Sequence, residues 1–124
     1  GGASVAVFEK MATPGGNSVW NGGQVAAVGT RQQLASGIED SEELMVADML
    51  AAGLDLNHAA LLQQLVARSR ETAEWTEREL GVEYRDRVSQ LGGHSVPRTL
   101  GTLNSSGRDI VDPMLARARA APNV

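Results

Sequence analysis

Two features near the amino end have residue types and spacing suited to chemistry: a carboxylate, Glu9, and two glycine pairs, Gly15-Gly16 and Gly22-Gly23. Glu9 closes a short apolar run, Ala3-Ser4-Val5-Ala6-Val7-Phe8. Valine and phenylalanine favour extended backbone, and so brief an apolar run suits a strand buried in a parallel sheet. A carboxylate at the carboxyl end of such a strand accepts hydrogen bonds from the ribose hydroxyls of a bound dinucleotide. Glycines, lacking Cβ, let backbone N–H groups approach a pyrophosphate or a flat ring closely. The small residues Gln24 to Val28 suit close packing under such a ring, although from the bare residues alone an ordinary buried turn is the plainer reading.

The elements that must position these groups follow in order. Thr13-Pro14-Gly15-Gly16 has turn chemistry, and Pro14 biases Thr13 away from helix. Asn17 is a good cap for a short helix reaching Trp20, which Gly22-Gly23 would end. Residues 29–39 show little periodicity and read as an exposed connection. Asp40, with Glu43 at capping-box spacing, predicts a helix over about 41–52. A second helix over about 58–80 follows from apolar positions at Leu61, Leu62, Leu65, Val66, Ala73 and Leu80, with Gly81 as its C-terminal cap. Its Arg70, Glu74 and Arg78 form solvated pairs on the outer face, to which no function is assigned. Leu91 to Ser106 reads as one long loop holding His94, Ser95, Arg98, Thr99 and Thr102, a polar set able to converge on an anion. Ser106 and Asp109 resemble a capping box for a last helix over about 107–120. Pro113 requires that helix either to bend or to start at Asp112.

Composition removes several function classes. A chain of 124 residues with net charge −4 and no basic stripe is poorly suited to a phosphate-backbone partner, so nucleic-acid binding is not expected. The absence of cysteine excludes disulfides, thiolate metal sites and covalent c-type haem attachment in this segment. Two histidines, His58 and His94, without ligand spacing make a transition-metal site unexpected, and His58 reads as surface. No apolar run is long enough to span a bilayer, and compartment is left open between cytoplasm and periplasm. Only 3% of the residues are aromatic, so the core must come from Leu, Val, Ala and Met, a composition that favours helices.

Glu9-Lys10, Gly15-Gly16-Asn17-Ser18 and Asn21-Gly22-Gly23-Gln24-Val25-Ala26-Ala27 together resemble the flavin-binding segment of the fumarate reductase and succinate dehydrogenase flavoprotein superfamily, with the soluble flavocytochrome c type of fumarate reductase nearest. The resemblance continues through Asp40-Ser41-Glu42-Glu43, Gly92-Gly93-His94-Ser95 with Arg98, and Ser106-Gly107-Arg108-Asp109. It implies a Rossmann-like α/β parent fold, of which residues 1–124 are a part of the FAD-binding domain, mostly α-helical with a short N-terminal β-strand. It further implies that Glu9 binds the adenosine ribose of FAD with Lys10 beside it. Gly15, Gly16, Asn17 and Ser18 lie along the pyrophosphate and ribityl chain, and Gly22, Gly23 and Gln24 run beside the flavin ring. The flavin is bound non-covalently, because no histidine precedes His58. The reaction implied is hydride transfer between flavin N5 and an activated alkene. Catalytic groups are expected outside this segment, in a substrate-capping domain of the same flavoprotein. Within it, His94 and Arg98 are the two side chains set apart as candidates, against a structural or cofactor-side role.

Relatives begin with a strand and Gly-x-Gly-x-x-Gly turn ahead of the ribose-binding acid, so the chain is expected to start at the second strand. By itself it is then expected to be inactive, to bind flavin weakly, and to offer an unpaired strand edge for self-association. The substrate is not specified, since fumarate reductases, urocanate reductases and ketosteroid dehydrogenases share this segment. The alternative is a non-enzymatic helical interaction module, in which the glycine loops are only turns.

Overall fold

The structure is a computed structural model that describes residues 2–124; Gly1 lies outside them. In order it contains a 3-10 turn (Gly16–Val19), β1 (Gln24–Ala26), α1 (Arg31–Ala35), α2 (Glu42–Ala52), α3 (Ala59–Leu80), β2 (Thr99–Gly101) and α4 (Arg108–Ala120). Helices dominate, and the strands are two short antiparallel pieces paired Gln24 with Gly101, Val25 with Leu100 and Ala26 with Thr99.

The longest helix organises the rest. Leu62, Val66, Ser69, Ala73 and Thr76 recur on α3 at alternating intervals of four and three and form its buried face. Against its C-terminal half sits the core of Ala27, Ala73, Val82, Tyr84 and Leu100, flanked by Val25, Leu80, Val88 and Ile110. Gly81 ends α3 with φ 68°, a left-handed conformation that suits glycine. The chain then turns back, so that Tyr84 bridges Thr102 and Ser89 bridges Thr99. β2 therefore lies between β1 and the 84–89 segment. Tyr84 Oη and Thr76 Oγ1 share a buried hydrogen bond of 2.9 Å across this seam.

Four local expectations are corrected. Residues 3–8 form no strand: Phe8 is 93% exposed, and the segment is tied down by Val5 N donating to Asn123 O at 2.7 Å and Asn123 Nδ2 donating to Ala3 O at 2.6 Å. A strand is stabilised by its ladder and buried face, and the described residues supply neither here. Residues 29–39 are not an exposed connection but contain α1, begun by a capping box in which Thr30 Oγ1 accepts from Gln33 N and the Gln33 side chain returns to the Thr30 backbone. That box has glutamine at its third helical position, which the motif admits alongside glutamate, and Gln32 and Gln33 are buried. The cap of α2 is Ser41, whose Oγ accepts from Leu44 N at 3.1 Å, rather than Asp40. Finally, the 91–106 segment is interrupted by β2, because Leu100 is needed in the core.

α4 begins at Arg108 and carries Pro113 internally, forgoing the bond that position would have donated to Asp109 O. Its N-cap is Gly107, where any Cβ would overlap the carbonyl of Ser18. Ser106 Oγ instead accepts from Arg108 N at 3.2 Å. No helix among the described residues is long and apolar enough to cross a membrane.

Candidate functional site

The glycine-rich segment is held as a unit by Asn21. Its Nδ2 donates to Ser18 O at 2.9 Å, its Oδ1 accepts from Gly23 N at 2.7 Å, and its carbonyl accepts from Gly107 N at 2.9 Å. Thr102 N donates to Gly23 O at 3.0 Å, so the loop is fastened both to the start of α4 and to the end of β2. Asn-Gly is a strong turn signal in sequence, but nothing local marks Thr102 or Gly107 as its anchors.

The glycines within this segment divide by what surrounds them. Gly15 (φ 112°) is packed so that a Cβ would meet Val19 Cγ1, and Gly23 (φ 61°) is buried against Thr102 Oγ1 and the Ser106 carbonyl. Both are glycine for packing. Gly16 (φ 50°) has nothing within 4 Å of a Cβ position, and Gly22 has only the Gln24 side chain, at 3.8 Å and beyond. These two present bare backbone to open space, with Asn17, Ser18 and Gln24 exposed beside them. An open cavity of about 290 Å³ adjoins Gly22 and Gln24 and is lined further by Arg85, Arg87, Ser89 and Ser105.

Glu9 and Lys10 are both exposed. Glu9 Oε1 accepts from Met11 N at 2.7 Å, a local turn contact, and no hydrogen bond among the described residues joins either side chain to the glycine loop. His58 is exposed at the N-cap of α3 with no side-chain capping bond.

Arg98 and His94 occupy a different environment. The Arg98 side chain is 0% exposed: Nε and Nη2 donate to Asp40 Oδ2 and Oδ1 at 3.0 and 2.8 Å, and Nη1 donates to Asp48 Oδ2 at 2.7 Å. Nη1 also lies 3.2 Å from His94 Nδ1, and since a guanidinium only donates, His94 Nδ1 is the acceptor. Ser95 clamps Asp48 from the other side, its N donating to Oδ2 at 2.8 Å and its hydroxyl to Oδ1. These two bonds, foremost the hydroxyl, with Arg98 adding to them, hold the Asp48 carboxyl down to about 2. With its Nε, Nη1 and Nη2 spent on interior acceptors, Arg98 is a structural cation joining α2 to β2. Sequence reasoning placed Asp40 in a helix cap and left Asp48 unremarked; these partners lie 58 and 50 residues from Arg98 along the chain, beyond any local signal.

Residues 1–124 match the model of the FAD binding domain family. Over 119 residues the chain is 44% identical to an acrylate reductase flavoprotein subunit of Shewanella woodyi, covering 96% of this chain and 23% of that protein. Over 120 residues it is 35% identical to a probable fumarate reductase of Shewanella frigidimarina, covering 95% of this chain and 20% of that protein. Among solved structures, the open conformation of a flavocytochrome c3 fumarate reductase superposes with a TM-score of 0.79 at 35% identity, covering 86% of this chain and 19% of that one. The chain thus spans about a fifth to a quarter of the length of these relatives.

Proposed function

This chain belongs to the FAD binding domain family, and from that premise we propose that it forms part of the cofactor-holding domain of a longer flavin-dependent oxidoreductase of the fumarate reductase type. The observation that carries the reading is the division among the glycines. Gly16 and Gly22 leave backbone uncovered at an open surface, whereas Gly15 and Gly23 are consumed by packing. A flat ring or a phosphate needs such bare backbone and is excluded wherever a side chain already fills it.

In this reading Gly16, Asn17 and Ser18 lie along the pyrophosphate and ribityl chain and Gly22 and Gln24 lie beside the ring, while Gly15 and Gly23, expected from the sequence at the same places, give the loop its shape from behind. Glu9 takes the adenosine ribose, with Lys10 adjoining. That pairing requires the 2–9 segment to move from its present contact with Asn123 into a sheet. Bound FAD supplies hydride transfer at its N5 to or from an activated alkene. The chain's own contribution is to hold and orient. Asn21 and Thr102 keep the loop rigid, and the absence of histidine before His58 leaves the attachment non-covalent. Arg98 and His94 brace the domain, and the groups that bind substrate and move protons belong to the remainder of the flavoprotein, including a substrate-capping domain.

The test is to purify the full-length protein carrying this chain and titrate it with FAD, following visible absorbance and fluorescence, in parallel with Gly22→Val. Stoichiometric FAD in the parent protein and weakened binding in the variant are expected. A parent protein that takes up no FAD, or a variant that binds it unchanged, would refute the assignment.

A further inference from the structure

Gln33 is 1% exposed at the third position of α1, where a capping box uses only its side-chain oxygen. Here the amide is used on both sides. Oε1 accepts from Gly29 N at 2.7 Å and from Thr30 N at 3.3 Å, while Nε2 donates to Asp40 Oδ2 at 2.8 Å and to Pro97 O at 2.9 Å. A glutamine amide has two acceptor positions and two N–H donors, so its capacity is filled and only one orientation of the group satisfies it.

The ion cluster enforces that orientation. Asp40 is itself held by Arg98 through two bonds, and the carbonyl of Arg98 accepts from Ala27 N at 3.0 Å. The backbone that leaves β1 is therefore fastened from behind at Ala27, Gly29 and Thr30, and all three attachments lead to the same buried set. Ala27 directly follows β1, so this set holds the strand at its C-terminal end while Thr102 holds Gly23 at the other. We propose that Gln33, oriented by Asp40 and Arg98, is a positioning residue that sets where the Gly22–Ala26 backbone stands relative to the flavin. This rests on the reading that the loop faces FAD. Gln33 does not touch the cofactor and acts through the backbone amides of Gly29 and Thr30.

The experiment uses the full-length protein with Gln33→Met, which keeps side-chain length and removes the four hydrogen bonds, and Tyr84→Phe as a control that removes a core hydrogen bond, to Thr76, in which none of Gln33, Asp40 and Arg98 takes part. Gln33→Asn, with the amide on a shorter stem, replaces Gln33→Met if the latter does not fold. Three quantities are read: amide hydrogen exchange at residues 27–30, FAD affinity, and the flavin reduction potential. Gln33→Met is expected to speed exchange at 27–30, to weaken FAD binding about tenfold, and to shift the potential, while Tyr84→Phe leaves FAD affinity and potential as in the parent. Unchanged exchange in the Gln33 variant overturns the positioning role whether or not FAD binds. Faster exchange with unaltered affinity and potential overturns the link to the cofactor but leaves the functional reading standing. An equal loss of affinity in Tyr84→Phe reduces the effect to global stability and also overturns it. A parent protein that takes up no FAD overturns the functional reading, and the flavin part of this inference with it.

Discussion

Replacing Arg98 by methionine removes the guanidinium that faces two carboxylates in the interior. Asp40, 1% exposed at its side chain, would keep only the Gln33 amide and the Ser41 backbone N–H as donors, while Asp48, 9% exposed, would keep Ser95. Removing one member of a buried pair leaves the other charge uncompensated and costs about 3–5 kcal/mol, because desolvation of the remaining carboxylate is no longer offset. Domain stabilities run to about 5–15 kcal/mol, so this is a large fraction of the total. At roughly 3–4 °C per kcal/mol for a domain of this size, Tm should fall by about 10–20 °C. The contrast is Arg68→Met, which breaks a pair with Glu71 in which both side chains are exposed, 74% and 69%. Such a pair is worth at most about 1 kcal/mol and is screened by salt. Thermal unfolding by circular dichroism should separate the two variants clearly. Adding Asp40→Asn to Arg98→Met should restore part of the loss, since the uncompensated charge goes too. If Arg98→Met melts within a few degrees of Arg68→Met, the reasoning from buried charge is wrong.

Gly23→Ala should destabilise by about 1–2 kcal/mol or more, because the left-handed φ and the overlap with Thr102 and Ser106 act together. Gly22→Ala should melt within about 0.5 kcal/mol of the parent, and equal melting of the two would contradict the division of the glycines. For Asp48 the folded pKa, about 2, lies below its ordinary 3.8, so its stabilising contribution is complete above that ordinary value and lost as pH falls through about 2. Ser95→Ala removes the largest cause and should move the acid-unfolding midpoint to higher pH; an unmoved midpoint would show that Ser95 does not hold this carboxylate. Tyr84→Phe should cost about 1 kcal/mol, since Thr76 Oγ1 retains its 2.7 Å bond to Ala73 O after the phenol is lost, and a change well outside that in thermal melting would place more on this hydrogen bond than its geometry supports.

The cofactor class was legible because it rests on contiguous residues: glycines spaced along one loop, Asn21 before Gly22, and an acid after an apolar run. The three long helices were legible for a related reason. The glycines that follow α2 and α3, and the four-and-three recurrence of Leu62, Val66, Ser69 and Ala73, are local patterns that a helix carries within itself, whereas the cap residues of α2 and α4 were not read correctly. The short α1 was not: Thr30 and Gln33 stand at capping-box spacing, but a helix of 5 residues gives no period to detect.

What tertiary structure decided was the partner of every group with more than one use. Asp40 is an acceptable helix cap by type, and only the arrival of Arg98 from 58 residues along the chain turns it into half of a buried ion pair while Ser41 takes the cap. Val5, Val7 and Phe8 have strand propensity, but a strand needs a neighbour to complete its ladder, and in this structure they stay exposed. Gly22 and Gly23 are indistinguishable as letters; the approach of Thr102 and Ser106 closes one and leaves the other bare. Propensity and periodicity are properties of a residue and its near neighbours, whereas burial, ion pairing and the space above a glycine depend on which distant segments meet there.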